Sequence, residues 1–166
     1  MKLRFFVIDD QEAIRCIFRE YLTDLGHEVV CAEHPLAKPI CNKTHCCNEY
    51  ACADGYFVDF SMPYMTGIAF LENSLKRGCK VPLENMVLMS GNFTQWAHEK
   101  AEELGITLKN KPIQLSEIGA LIEEMQNRIK PNRKLAELPT PGTTSFLHED
   151  SPLENDSKIP TPANPS

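Results

Sequence analysis

The side chains of this chain that are best suited to chemistry are acidic or polar, and each closely follows a short apolar run. They are Asp9, Asp10, Asp59, Ser90 and Lys111. Carboxylates a few ångströms apart raise one another's pKa unless a cation lies between them, and oxygen ligands of this kind suit Mg²⁺. An aspartate can attack phosphorus to form an acyl phosphate, while a lysine and a metal ion neutralise charge on the transferred oxygens. If the fold gathers these side chains, an aspartate can accept a phosphoryl group, to which the serine hydroxyl can bond.

The elements that must position these residues alternate between strand-like and helix-like patterns over the first 130 residues. Apolar runs predict strands at 3–8, 28–32, 56–60, 86–89 and 106–108. Apolar residues at helical spacing predict helices at 11–25, at 68–77, from the cap Thr94 to 104, and from the cap Ser116 onwards. This alternation predicts an α/β domain with a doubly wound parallel sheet. The functional residues of such a sheet lie at the carboxyl ends of its strands, which is where the five residues stand.

Each of these residues also has an ordinary structural explanation when it is taken alone. Asp9 and Asp10 can begin a helix, and Ser90 with Gly91 can form a polar loop. Lys111 before a proline indicates no more than a cis peptide bond. Because the residues arrive together at four strand ends, a shared site explains the pattern better than four separate accidents.

On these residues the chain resembles the response regulator receiver family of two-component signalling systems, from Met1 to about Arg128. The resemblance rests on Asp9-Asp10, on the run DFSMPYMTG from Asp59 to Gly67, on Ser90-Gly91 and on Lys111-Pro112. It implies the flavodoxin-like receiver fold, whose five parallel strands stand in the order 2-1-3-4-5.

The resemblance also implies which residues handle the phosphoryl group. Asp59 would be the phosphoacceptor, Lys111 would contact the phosphoryl group, and Ser90 would be the switch hydroxyl. Pro112 would follow a cis peptide bond. One position departs from the family, because the residue three before the lysine is usually aromatic and is Leu108 here. The readout of phosphorylation by an aromatic side chain is therefore not implied.

A magnesium site is implied at the same place. Asp10 and Asp59 would bind Mg²⁺ directly, together with the backbone carbonyl of Ser61. Asp9 would act through a metal-bound water.

The segment between the second and third predicted strands, residues 34–52, replaces or disturbs the helix that the family has there. Two prolines disfavour a helix, and the segment holds a symmetric array of cysteines, Cys41, Cys46, Cys47 and Cys52. Three interpretations stay open: a structural Zn²⁺ site, unliganded thiols, and a disulfide or redox switch. The four-residue spacing within each pair is at the wide edge of what structural zinc uses.

Composition bounds the location and the organisation of the chain. The formal net charge of −6 argues against nucleic-acid binding, and no apolar run approaches the ~18 residues of a membrane span. A cytoplasmic location is expected. Residues 1–130 are predicted to form the receiver domain, and residues 131–166, rich in Pro, Ser and Thr, a disordered tail. His27 and His98 are interpreted as surface residues.

Two hypotheses of function follow. In the first, a sensor histidine kinase or a phosphotransfer protein phosphorylates Asp59, and the domain then changes its affinity for an unknown downstream protein. It would be a signalling domain rather than an enzyme with other substrates. In the second, the fold serves a metal- or redox-responsive interaction module in which phosphorylation is secondary. A hydrolase with an aspartyl-phosphate intermediate is disfavoured, because such enzymes usually carry a second aspartate where this chain has Ser61.

Overall fold

A five-stranded parallel sheet forms the centre of the molecule. The structure, a computed structural model, describes residues 1–37, 40, 45, 46 and 48–138. The strands are β1 (Arg4–Ile8), β2 (Glu28–Ala32), β3 (Gly55–Asp59), β4 (Met86–Ser90) and β5 (Thr107–Asn110). They are hydrogen-bonded in the order β2-β1-β3-β4-β5, which confirms the predicted topology.

Helices cover both faces of the sheet. They are α1 (Glu12–Asp24), α2 (Gly67–Lys76), α3 (Gln95–Leu104) and α4 (Leu115–Arg128), with a short 3-10 turn at Leu83–Asn85. Between β2 and β3 the described residues contain no helix, in agreement with the predicted disturbance of that element. None of the described helices is long and apolar enough to cross a membrane.

The core consists of two apolar layers, one on each face of the sheet. Phe6, Val58 and Leu88 point to the face that α2 and α3 cover. Phe57 and Met89 point to the other face, where they pack with α1 and α4. Because the side chains of β1, β3 and β4 are needed on both faces, these strands are nearly continuous apolar runs. Only the ends of the strands are left to carry polar chemistry.

Most helix ends lie where the caps predict. Thr94 accepts a hydrogen bond from the Ala97 N–H at 3.2 Å and so begins α3. Gly26, Gly78 and Gly105 follow the ends of α1, α2 and α3 in the left-handed conformation.

The start of α4 differs from the prediction. Ser116 is not its cap, because the helix already begins one residue earlier. The backbone N–H of Gln114 donates to Glu117 Oε2 at 3.1 Å, and this bond holds the entry to the helix.

The segment after α4, residues 129–138, folds back onto the amino-terminal end of the sheet. The Arg133 guanidinium bonds both carboxylate oxygens of Asp54, with 2.7 Å from Nε to Oδ1. The Ala136 N–H donates to the Ala51 carbonyl at 2.8 Å. We call residues 129–138 the clasp, since they tie the end of the chain to the entry of β3.

The predicted boundary at residue 130 falls within the clasp. Residues 131–138, which we predicted as part of the tail, make the contacts just described. Residues 139–166 lie outside the described residues, so the prediction of a disordered tail stays a prediction there.

His27 is buried, which contradicts its interpretation as a surface residue. Its side chain packs edge-on against Phe5, with 5.4 Å between ring centroids. Its Nδ1 accepts a hydrogen bond from the Leu3 N–H at 3.1 Å, so the ring is neutral with its proton on Nε2. Burial lowers the pKa of His27 below 6.5, and the nearby N-terminal amine lowers it further.

We expect this burial to make the protein less stable as the pH falls from 7.5 to 5.5. The unfolded chain binds a proton at His27 near pH 6.5, whereas the folded chain resists it, so the unfolded state is favoured below that pH. The contribution is at most about 1.4 kcal/mol at pH 5.5. Urea unfolding at both pH values should show a smaller loss in His27→Gln than in the wild type. The exposed His98, changed to Gln, is the control, and an unchanged pH dependence in His27→Gln would contradict the assignment.

Candidate functional site

The predicted site residues gather at the carboxyl end of the sheet. Asp9 follows β1, Asp59 ends β3, Ser90 ends β4, and Lys111 follows β5. Parallel pairing sets their level, because Asp59 stands opposite Met89, one residue before Ser90. The order of the strands places β3 between β1 and β4, so Asp59 is central in this group.

The ammonium group of Lys111 joins two carboxylates. Its Nζ lies 2.6 Å from Asp9 Oδ2 and 2.5 Å from Asp59 Oδ1. Asp9 is fully buried, and Asp59 is 5% exposed. Charge-assisted bonds at this depth are strong, because little water screens them. The lysine therefore holds the two acidic side chains face to face.

Backbone N–H groups fix the other oxygens of the two carboxylates. The Gln11 N–H donates to Asp9 Oδ1 at 2.9 Å, and the Ser61 N–H donates to Asp59 Oδ2 at 2.8 Å. Each carboxylate is thus oriented by its own loop, two residues further along the chain. Both bonds are Asx-type turns, which an aspartate at the end of a strand readily forms.

The ionisable groups of the site perturb one another. Burial raises the pKa of Asp59, and its bonds to Lys111 lower it only in part. Burial also lowers the pKa of Lys111, but the bonds to Asp59 and Asp9 raise it by more, so its pKa lies above the ordinary value. The lysine is therefore cationic at neutral pH, and it compensates charge that the buried aspartates would otherwise carry alone.

Gly67 is a second contributor to the site, through its lack of a side chain. Its N–H donates to the Phe60 carbonyl at 2.8 Å, which closes the loop after Asp59. A Cβ at this position would overlap the carbonyl oxygen of Asp59 and lie 2.7 Å from Leu88 Cδ1. Gly67 is the last residue of the motif that begins at Asp59, but its close approach to the backbone of Asp59 becomes evident only in the structure.

Ser90 lies beside this group but is turned towards its own loop. Its hydroxyl donates to the Asn92 carbonyl at 2.9 Å and accepts from the Asn92 N–H at 3.3 Å. The Ser90 carbonyl accepts from the Lys111 N–H at 2.7 Å, and the peptide between Lys111 and Pro112 is cis. Leu108 is half-buried against the core.

Asp10 and Arg15 complete the rim of the site. The Asp10 side chain is exposed. Arg15 Nη1 donates to the backbone carbonyl of Asp9 at 2.7 Å and to that of Asp10 at 3.0 Å, and so ties the loop to α1. Arg15 was not predicted as part of the site, because a lysine or arginine in the second turn of a helix usually faces solvent.

The donors at this end of the sheet fit the chemistry of Mg²⁺. They are oxygen atoms only, from Asp9, Asp10, Asp59 and the Ser61 carbonyl, and Mg²⁺ uses one or two protein carboxylates beside its waters. In the described residues no three His, Cys, Asp or Glu side chains are already gathered as metal ligands. Lys111 occupies the space between two of the acidic side chains.

The cysteine array is only partly within the described residues. Cys41 and Cys47 lie outside them. Cys46 and Cys52 line one small pocket beside α2, and Cys79, which nothing local in the sequence connects to the array, lines it too. The cysteines among the described residues form no disulfide with one another.

Comparison with known proteins supports the fold. No family model and no curated protein matches this sequence. Among solved structures, the chain is similar to the chemotaxis protein CheY4 of Vibrio cholerae, with a TM-score of 0.56 and 18% identity over 75% of this chain and 99% of that one. It is also similar to a CheY-like receiver domain of Methanospirillum hungatei, with a TM-score of 0.60 and 22% identity over 77% and 96%.

A third similar structure is the receiver domain of the Francisella response regulator 1452. Its TM-score is 0.60, with 18% identity over 78% of this chain and all of that one. The protein is thus a doubly wound α/β domain. More narrowly, its strand order and these similarities show the flavodoxin-like fold of response regulator receiver domains.

Proposed function

We propose that this chain is a phosphorylation-controlled signalling domain whose phosphoacceptor is Asp59. The observation that carries the proposal is the Lys111 ammonium, which contacts both Asp59 and Asp9 at the carboxyl end of the sheet. A structural ion pair would need one carboxylate, whereas a phosphoryl acceptor site needs a nucleophile, a cation and further oxygen ligands together.

The site prepares Asp59 for attack. Its Oδ2 is oriented by the Ser61 N–H, and its Oδ1 is held by Lys111, so the carboxylate has one direction in which to meet phosphorus. In the reaction, the P–N bond of a donor phosphohistidine breaks as the bond between the Asp59 carboxylate and phosphorus forms. The acyl phosphate replaces the carboxylate charge, and the Lys111 ammonium then donates to phosphoryl oxygens.

Asp9, Asp10, Asp59 and the Ser61 carbonyl would hold Mg²⁺, which, when bound, neutralises charge on the transferred oxygens. Among the residues that the structure describes, the Ser90 hydroxyl bonds only within its own loop, and turning it towards the phosphoryl group would exchange those bonds for a charge-assisted one. That exchange would report phosphorylation to the loop after β4.

The partners follow from this chemistry. The donor would be a sensor histidine kinase or a phosphotransfer protein in the cytoplasm, and the recipient of the signal a downstream protein. The domain would act only on its own aspartate, in transfer and in dephosphorylation. Trp96, which is 56% exposed at the start of α3, offers an aromatic contact just after the Ser90 loop.

Asp59→Asn tests the proposal directly. With acetyl phosphate and Mg²⁺, the intact mass of the wild type should rise by about 80 Da, the mass of one phosphoryl group, and the adduct should be lost in base. Asn cannot act as the nucleophile, so Asp59→Asn should show no adduct. Asp24→Asn, at the exposed end of α1, is the matched control and should keep it.

Either of two results would contradict the proposal. One is the absence of any adduct on the wild type, with acetyl phosphate and with a phosphohistidine donor alike. The other is an adduct of full yield on Asp59→Asn, which would place the phosphoryl group elsewhere.

The second hypothesis, a metal- or redox-responsive module, is favoured by one observation only. This is the convergence of Cys46, Cys52 and Cys79 on one pocket. The pocket is compatible with phosphorylation, since it borders α2 and the start of β3 rather than the acidic end of the sheet.

A further inference from the structure

Three cysteines from separate parts of the chain meet beside α2. Cys46 belongs to the loop after β2, Cys52 stands shortly before β3, and Cys79 follows α2. They line a small pocket whose other walls include Tyr56 and Phe70. Cys46 and Cys52 are 6 residues apart along the chain, and Cys79 follows Cys52 by 27 residues, yet all three thiols share this one pocket.

Specific backbone bonds hold two of the cysteines in place. The Cys46 N–H donates to the Arg77 carbonyl at 2.8 Å, which brings the loop after β2 against the end of α2. The Cys79 N–H donates to the Ser74 carbonyl at 3.0 Å, beyond the left-handed Gly78. The turn at the end of α2 thus presents Cys79 and, through Arg77, anchors Cys46.

The Tyr56 hydroxyl contacts two of the three thiols. It lies 3.2 Å from Cys52 Sγ and 4.0 Å from Cys79 Sγ. Burial raises the pKa of Cys52 and of Cys79, so both are neutral thiols in the described state. A half-buried cysteine alone is a small apolar residue, but that explanation does not account for three of them lining one pocket.

The ligand set selects the kind of ion. Neither an aspartate nor a glutamate lines the pocket among the described residues, so hard ions such as Mg²⁺ and Ca²⁺ find no charged oxygen there. Thiolates prefer soft or borderline ions, among which Zn²⁺ is the one with no redox chemistry of its own.

We propose that Cys46, Cys52 and Cys79 bind one Zn²⁺ ion in this pocket. As the ion enters, the three S–H groups would release three protons to solvent, three Zn–S bonds would form, and a water would complete the tetrahedral coordination. No three His, Cys, Asp or Glu side chains of the described ranges already stand at ligand distance from one point, so the proposal requires the three thiol side chains to turn inward as the ion binds. The proposal differs from the array Cys41, Cys46, Cys47 and Cys52 by requiring Cys79.

The ion would serve a structural purpose. The described residues between β2 and β3 form no helix, and so they present no regular apolar face to pack on the sheet. Zinc would tie Cys46 and Cys52 to the end of α2, because the free energy of metal binding adds to the free energy of folding.

Zinc content and affinity test the proposal on the full chain. The reduced protein, purified without chelators, is analysed by elemental mass spectrometry, and its affinity is measured by competition with a chromophoric zinc chelator. We expect one zinc per chain in the wild type. Cys79→Ser should weaken binding by more than about 100-fold, since even the loss of an outer contact to a metal ligand costs 10–100-fold.

Matched variants separate the loss of a ligand from the loss of the fold. Cys16→Ser on α1, at the opposite face of the sheet, should keep full affinity. The Co²⁺-loaded wild type should show thiolate-to-metal charge-transfer absorption, which Cys79→Ser and Cys52→Ser should reduce. Circular dichroism and the acetyl phosphate adduct show whether each variant is folded, and the zinc result does not depend on whether that adduct forms.

Two outcomes would overturn the proposal. The first is a wild type that binds no zinc at micromolar concentrations of the free ion. The second is a Cys79→Ser variant that binds zinc with wild-type affinity, while variants of the cysteines in residues 41–52 lose the ion. That result would assign the metal to that segment alone.

Discussion

Gly67→Ala is expected to destabilise the protein by about 2–4 kcal/mol, although alanine is the better helix former. The added methyl group would overlap the Asp59 carbonyl oxygen and press on Leu88 Cδ1 at 2.7 Å. Neither neighbour can yield easily, because one is the backbone of a buried strand and the other is a fully buried side chain. The gain in helix propensity is at most about 1 kcal/mol and does not offset this overlap.

The same substitution should slow phosphorylation of Asp59. Relief of the overlap moves the end of β3, and a misplacement of about 1 Å at a reacting group can cost about 100-fold in rate. Urea unfolding measures the first effect, and the rate of adduct formation with acetyl phosphate measures the second. Gly91→Ala is the control for stability, because a Cβ there meets nothing within 4 Å. A Gly67→Ala protein as stable as the wild type would refute the steric argument.

Asp54→Ala should be the second strongly destabilising change, by about 2–4 kcal/mol. Asp54 is 3% exposed and accepts bonds from the Arg133 guanidinium and from the Arg4 N–H at 2.7 Å. Its removal leaves that N–H without its acceptor, while the partly buried guanidinium keeps a bond to the Lys2 carbonyl at 2.8 Å. The Arg133 side chain is 23% exposed and can turn to water, which keeps the cost below that of a fully buried pair.

Arg133→Ala and the double variant complete the test of the clasp. If the pair acts as one unit, the double variant should lose less stability than the sum of the two single variants, by about 1–2 kcal/mol. Glu124→Ala removes the exposed partner of Arg128 and should change stability by less than about 1 kcal/mol. Additive losses from Asp54→Ala and Arg133→Ala would show that the ion pair contributes little to holding the clasp.

The sheet was predictable because its three inner strands are buried on both faces. Short apolar runs such as those of β1, β3 and β4 have few alternatives in a chain that also carries helical periodicity. β2 was predicted at its observed bounds. The start of α4 was less exact, because the helix entry depends on a bond between Gln114 and Glu117 rather than on a single strong cap residue. β5 was predicted at 106–108 and is observed at Thr107–Asn110.

The grouping of the acidic site was predictable for a different reason. Parallel strands bring their carboxyl ends to one edge, so polar residues after several strands must meet there. What the sequence could not provide was the pairing itself, in which Lys111 faces Asp9 as well as Asp59. The roles of these residues and of Mg²⁺ remain predictions that phosphorylation assays decide.

Long-range contacts account for what was missed. His27 is polar by type and was interpreted as exposed, yet it is buried because the Leu3 N–H needs an acceptor at that place. Cys79 joins Cys46 and Cys52 through the fold of the turn after α2, and no spacing rule connects residues so far apart in sequence. The clasp was missed because its composition is polar and proline-containing, while its contacts depend on Asp54, some 80 residues away.

The clasp also determines how the molecule would bear tension. A pull on the chain at Leu138 acts first on the bonds of Ala136 to Ala51 and of Arg133 to Asp54, and from these it passes to β3. β3 is the middle strand of the sheet, and its far end, about 13 Å away, is Asp59. Force applied at the C-terminal side would therefore be resisted by shear along the central strand, instead of peeling α4 away from the surface one turn at a time.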